Sequence, residues 1–261
     1  MGKDKLRKFK ENATFKCLVQ PASDEVLDRA VGGGALKDHP LKGRWREDFF
    51  HNSNPIVLEL GCGKGEYTID LALRNPDINY IGVDIKGARL WKGAKYAEEN
   101  HLPNVAFLRT RVEFIPSLFA ADEVSEVWIT FADPQIGREK QRLTSPRFLS
   151  RYRSFLRPGG IVHLKTDSGY LHAYSLAAAQ QNGLKILAES TDIYGADRER
   201  LQQSPLASVS GPDAVKALFE VQTHYEQNYL AQGLPITYLA FTIDHEGEYI
   251  SPDWDEENWE R

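Results

Sequence analysis

The chain is predicted to be an α/β protein, doubly wound around a mostly parallel sheet with helices on both faces, and three observations carry that prediction. Short apolar runs of strand length, IVLEL, YIGVD, VAFLR, EVWIT and GIVHLKT, recur from Ile56 onward. Segments with apolar residues three or four apart, YTIDLALRN, ARLWKGAKYAEEN, PRFLSRYRSFL and YLHAYSLAAAQQN, lie between or after them, which implies βαβ units. A glycine-rich turn, GCGKG, joins the first run to the first helical segment, as at the carboxyl edge of such sheets.

Residues 1 to 54 read as a basic, irregular extension. Residues 1 to 16 hold six Lys or Arg against two acids, and AVGGGALKDHPLKGRWREDFFHNSNP then brings a Gly triplet, two prolines and little periodicity. Residues 55 to 243 read as the main domain. Within it Pro76 ends the first helix, Asp84 closes the second strand, Pro146 sits in a first helical turn, and Pro158-Gly159-Gly160 stops the chain before the fifth strand. Residues 192 to 212 are polar and loop-like, DAVKALFEVQTHYEQNYLAQG reads as one helix closed by Gly233, and TYLAFTI reads as a last strand. Residues 244 to 261 form an acidic tail of eight acids and one Arg. The net charge of −5 therefore hides a basic arm and an acidic tail around a near-neutral body, a pattern that by itself only solvates the termini.

Composition excludes several classes. With 261 residues and 41% hydrophobic content the chain can bury one substantial core. No long uncharged apolar run and no apolar segment near the N-terminus is present, so a soluble, cytoplasmic protein is expected. Cys17 and Cys62 make neither a disulfide framework nor a zinc spacing, and the seven His form no ligand array, so no metal is expected. No Gly-x-Ser-x-Gly elbow occurs, and Lys64 lacks the Ser/Thr of a P-loop.

In VLELGCGKGEYT, Gly61, Gly63 and Gly65 let the backbone turn tightly and approach a ligand. A carboxylate two residues before the first Gly, Glu59, would repel a pyrophosphate and favour a sulfonium or ammonium ligand such as S-adenosylmethionine; a carboxylate that caps the following turn is the alternative. Asp84 can accept ribose hydroxyls. After the fourth strand, Asp133-Pro134 would place a carboxylate beside the transferable methyl, where it can accept N–H groups of a base, as in nitrogen methylation. A turn in which Asp133 bonds the backbone is again the alternative. Arg138, Lys140, Arg142 and Arg147 follow at the mouth of that site and suit phosphate.

Several separate motifs, LELGCGKGEYT, GVDIKGARLWKGA, FADPQIGREKQRLTSPRFLSRY, LRPGGIVHLKTDSGYL and THYEQNYLAQGLPI, make the chain from about Ile56 to Ile243 resemble the bacterial tRNA (guanine-N7-)-methyltransferases. The resemblance implies a seven-stranded, Rossmann-like methyltransferase fold. It implies methyl transfer from S-adenosylmethionine, released as S-adenosylhomocysteine, to N7 of a tRNA guanosine, at position 46 of the variable loop. It makes Glu59 and Asp84 cofactor-binding and Asp133 the acid at the junction of cofactor and substrate, and it sets Asp167 and the Thr223 to Glu226 segment at the guanosine. Tethering to a membrane is not implied, and either a monomer or a homodimer is. Three positions depart from the family's pattern: Thr110 replaces an acid, leaving adenine to backbone groups or Glu113; Ala132 replaces a proline; and Gly137 replaces a lysine, leaving Arg138 or Lys140 to supply its charge. Another RNA or DNA nitrogen methyltransferase and a catalytically idle tRNA-binding module stand as alternatives, and a dehydrogenase ranks below both.

Overall fold

A computed structural model describes residues 3–28, 35–195, 197–210 and 212–255. The Gly triplet and the tail beyond Asp255, Trp259 included, lie outside the described residues. In place of an irregular start, the arm opens with helix α1 (Lys3–Asn12). So short a helix is marginal in water, and docking sustains it. Asn12 Nδ2 donates to the Gly87 carbonyl at 2.8 Å, Trp91 Nε1 donates to Glu11 at 2.6 Å, and Arg7 and Lys8 each stand 5.0 Å from the Trp91 ring. Short elements follow: strand β1 (Leu18–Val19), helix α2 (Ser23–Val26) and the hairpin β2 (Leu27–Asp28) and β3 (Ala35–Leu36). Further on, the chain is tied down by one carboxylate, because Glu123 accepts the N–H groups of Gly43, Trp45 and Ala120 at 2.8, 3.2 and 2.8 Å. Trp45 is fully buried, stacks on Phe119 and donates Nε1–H to the Leu118 carbonyl.

The chain divides into two compact units, Met1–Ser125 and Glu126–Arg261. The first holds β4 (Ile56–Leu60), α3 (Glu66–Arg74), β5 (Asn79–Asp84), α4 (Gly87–Glu99) and β6 (Val105–Arg109). Its strands are ordered β1-β6-β5-β4 and all pair in parallel. Every residue of β4 and β5 is buried, which is why these strands read as continuous apolar runs rather than alternating ones. On α4 the buried residues Leu90, Ala94 and Ala97 recur at helical spacing and form its inner face.

β7 (Val124–Thr130) leads into the second unit, which continues with α5 (Pro146–Arg153), β8 (Leu156–Thr166), α6 (Gly169–Gln181) and β9 (Ile186–Ser190). Helices α7 (Arg198–Gln202), α8 (Pro205–Ser210), α9 (Pro212–Glu220) and α10 (His224–Ala231) precede β10 (Thr237–Thr242). The order here is β7-β8-β10-β9, with β10 antiparallel to both its neighbours.

Four differences from the sequence reading have physical reasons. Among the described residues, counting β1 with the longer strands gives eight rather than seven; it is a two-residue segment that becomes a strand only by pairing with Phe107 and Leu108. Pro158-Gly159-Gly160 does not stop the chain, because β8 runs through it with Gly159 at φ +71. The stretch from residue 192 to 212 holds α7 and α8. The expected single helix before Gly233 is two, since Thr223 accepts the Glu226 N–H through its hydroxyl and caps a new start.

Candidate active site

In the first unit, the turn after β4 is fixed from β5. Gly61 and Cys62 both donate N–H groups to the Val83 carbonyl, Gly63 N–H donates to Asp84 Oδ2 at 3.0 Å, and Lys86 N–H donates to Asp84 Oδ1 at 2.7 Å. Asp84 thus shapes the loop with one lone pair on each oxygen and keeps acceptor capacity on both for hydroxyl donors. The three glycines do different work. Gly61 and Gly63 have positive φ, and a methyl group built on either meets at most one atom within 4 Å, so the loop surface there is open. A methyl on Gly65 would overlap the Phe107 ring, so that glycine serves close packing of the helix start.

Glu59 is only 4% exposed, and its Oε2 accepts both the N–H (2.9 Å) and the hydroxyl of Thr68. The capping alternative is what the structure contains, so Glu59 braces the first turn of α3 rather than offering an open carboxylate. Beyond β5 and β6 lies a cavity of about 340 Å³ lined by Gln20, Pro21, Ile85, Thr110, Arg111 and Phe114. Ile85, next to Asp84, is 55% exposed; Thr110 is buried, and Glu113 pairs with Arg111 at 3.1 Å. An open loop, an oriented acid and a cavity of mixed polar and apolar lining fit the amino-acid, ribose and purine parts of S-adenosylmethionine respectively.

Both cysteines are buried. Burial, with the Glu59 and Asp84 charges added, pushes the Cys62 thiol well up, and burial with the Glu98 charge does the same at Cys17. Burial thus disfavours both thiolates. Iodoacetamide at pH 8 is therefore expected to leave the native protein unlabelled and to label both cysteines in denaturant, as read by intact mass.

In the second unit, Asp133 is exposed on the turn that follows β7, and its Oδ1 accepts the Gln135 N–H at 2.9 Å. Phe131 and Gln135, on either side of it, both sit at φ +50, a left-handed conformation that side chains rarely adopt. Strain of this kind collects at functional sites. Phe131 is held by its N–H to the Lys165 carbonyl (2.9 Å) and by its ring, stacked 6.1 Å from that of Tyr229. Tyr229 also interacts electrostatically with Asp167, the second acid. Burial raises the Asp167 carboxyl above the usual range. Sequence alone assigns Tyr229 no role, since an aromatic three residues after Glu226 carries no signal of its own.

Two expected substrate contacts, Arg142 and Glu226, are corrected. Arg142 is fully buried, donating to the Pro134 carbonyl (2.9 Å), the Gln135 carbonyl (3.2 Å) and the Tyr170 hydroxyl (2.7 Å), and so cannot meet a phosphate. Glu226 is also fully buried, 2.7 Å from Lys165 Nζ and accepting the Tyr194 hydroxyl proton at 2.7 Å. Lys165 also donates to the Leu218 and Val221 carbonyls, and its burial lowers the ammonium's pKa against the Glu226 charge. Thr223 accepts the Glu226 N–H through its hydroxyl oxygen at the α10 cap, which leaves the O–H proton able to donate. Arg138, Lys140 and Arg147, by contrast, are exposed. Gly137 sits at φ +70 in open space, so the family's lysine is replaced where the turn takes a conformation suited to glycine. His163 is structural: it is fully buried, stacked on Trp128 and bonded to Glu126 and Tyr238.

Among the described residues no group of His, Cys, Asp and Glu suits a metal ion, and no helix is long and apolar enough to cross a membrane. Residues 53–205 match the methyltransferase family model Methyltransf_4. A tRNA (guanine-N(7)-)-methyltransferase of Christiangramia forsetii is 50% identical over 244 residues, 93% of this chain and 99% of that protein. One of Bacteroides fragilis is 43% identical over 253 residues, covering 97% and 91%. Among solved structures, an antibiotic-related methyltransferase aligns with a TM-score of 0.54 at 18% identity over 80% of this chain and 96% of that one. A 30S ribosomal A1408 methyltransferase from an uncultured bacterium gives 0.53 at 15% identity over the same shares, so these two share the α/β fold. With half the residues identical across nearly the whole of a relative, the chain belongs to the tRNA (guanine-N(7)-)-methyltransferase family.

Proposed function

We propose that the chain transfers the methyl group of S-adenosylmethionine to N7 of the variable-loop guanosine, position 46, of tRNA in the cytoplasm. Residues 55 to 243 do the chemistry, and the basic arm and acidic tail flank them. The observation that carries the residue roles is the exposed Asp133 on a turn held between two left-handed residues. S-adenosylmethionine supplies a methyl on a sulfonium, which leaves as a neutral thioether. Guanine N7 presents an unprotonated lone pair, so no residue has to remove a proton from the nucleophile. Placement is the protein's main task, and holding N7 in line with the methyl can supply roughly 7–11 kcal/mol.

On this reading the Gly61 and Gly63 backbone passes along the amino-acid end of the cofactor, Asp84 accepts its ribose hydroxyls, and Ile85 and Thr110 flank its adenine, with Glu113 at the rim. Glu59 and Gly65 hold that loop in shape. Asp133 and Asp167 accept guanine N–H groups and offset the positive charge that the base gains. Arg138 and Lys140 hold phosphates. Incubating the protein with unmodified tRNA and labelled S-adenosylmethionine, then mapping the modified nucleoside by mass spectrometry, tests the reading. A methylated exocyclic amine, or binding without turnover, would replace it.

Two further results are expected. Alanine at Arg138 or Lys140 should raise KM for tRNA with kcat kept, and each should shallow the log–log salt dependence of binding by about 1. At Asp167 the raised carboxyl pKa fixes two signs. The ionised acceptor is present above that pKa, so tRNA affinity falls on acidification sooner than an unperturbed Asp would allow. A carboxyl raised by folding contributes stability below its unfolded pKa and loses it as pH rises through the folded one. Asp167→Asn should therefore raise the melting temperature at pH 7 while depressing methyl transfer, measured by calorimetry and the label assay.

A further inference from the structure

We infer that the acidic C-terminal tail belongs to the catalytic apparatus: Trp254 is a positioning residue that acts through Tyr170, Tyr174 and Arg142 on the turn carrying Asp133. This rests on the role proposed for Asp133. The tail is not a solvated end as far as Asp255. Gly159 N–H donates to Asp244, Arg153 donates to the His245 and Gly247 carbonyls at 2.9 and 2.6 Å, and Asn182 makes two bonds of 2.8 Å with the Ile250 backbone. Pro252 is buried. Anchored at these points, the chain brings the Trp254 ring to 5.6 Å from both Tyr170 and Tyr174, edge-on to each at 75° and 90°.

Those two tyrosines are the seat of Arg142. Its guanidinium carbon lies 3.9 Å from the Tyr174 ring centroid and 5.0 Å from that of Tyr170, while its N–H groups hold Pro134 and Gln135. Tyr174 reaches the same loop a second time, donating its hydroxyl proton to Glu139 at 2.6 Å. A turn with left-handed residues on both sides of its acid persists only when its surroundings over-determine it. Arg142 supplies that constraint, its direction is set by the tyrosine rings, and the tail tryptophan keeps those rings from swinging. Sequence distance hid this arrangement, because Trp254 stands in a stretch whose composition speaks only of charge.

The test compares Trp254→Ala, Trp254→Phe and a chain ending at Ile250 with the full-length protein. Trp254→Ala and the truncation are expected to lower kcat about ten-fold with KM for tRNA and cofactor affinity by calorimetry little changed, since two edge-on ring contacts are lost. Hydrogen exchange should quicken at the amides of Arg138, Gln141 and Arg142, which bond within the turn. Trp254→Phe should restore both readings. Unchanged kcat and exchange in Trp254→Ala would overturn the inference, as would a loss of cofactor affinity matching the loss of kcat. Asp133→Ala is assayed in parallel. Full turnover there overturns the role of Asp133 while faster exchange in Trp254→Ala still supports the link from tail to turn; an inactive Asp133→Ala beside an unaffected Trp254→Ala overturns the link alone.

Discussion

Asp133→Ala is expected to lower kcat on the order of 10²–10³-fold, the loss seen when one preorganised polar partner of a transition state is removed. Cofactor affinity should hardly move, because the elements that shape the glycine loop, Asp84, Glu59 and Phe107, are untouched. The Asp133 carboxylate also closes its own turn through the Gln135 N–H, so Asp133→Asn is the sharper probe. Asparagine keeps the turn acceptor and loses the negative charge proposed to offset that of the methylated base. If Asn retains most of the activity that Ala loses, geometry dominates; if both fall equally, charge does. Single-turnover kinetics with unmodified tRNA separate either case from slow product release.

Lys165→Met is expected to be the most damaging substitution to stability, by about 3–5 kcal/mol, the cost of leaving one partner of a buried pair uncompensated. Both side chains of the Lys165–Glu226 pair are fully buried, and Glu226 Oε2 already lacks a hydrogen-bond partner among the described residues. Removal of the ammonium also orphans the Leu218 and Val221 carbonyls at the end of α9. In thermal denaturation this corresponds to roughly 10 °C for a chain of this size. Lys165→Met combined with Glu226→Leu should recover part of the loss, since no buried charge is then stranded. A double variant less stable than the single one would show that the pair is not what the lysine is for.

The parts of the site that could be read from sequence are those whose chemistry is local. The Gly61 to Gly65 turn, the acid that ends β5 and the Asp133-Pro134 step each declare themselves within a few residues, and each stands at the end of a strand as expected. Arg142 and Glu226 were misread for one reason. A charged residue near a site carries the same letters whether it faces water or the core, and what decides is a partner far along the chain: Tyr170, 28 residues from Arg142, or Lys165 for Glu226. The strand β9 escaped for a related reason, because ILAES takes its strand state from β10 beside it rather than from its own propensity. The docked α1 follows the same rule, its order coming from Trp91 and Gly87.

Phe131 and Gln135 each hold a backbone conformation that costs about 1–2 kcal/mol in a residue with a side chain. That energy is released whenever the turn lets go, whereas the buried strands have nothing comparable to gain. On heating, the turn is therefore expected to give way before the sheet does. If Asp133 has the proposed role, activity is expected to be lost at a temperature below that of global melting, as read by comparing residual turnover with calorimetry.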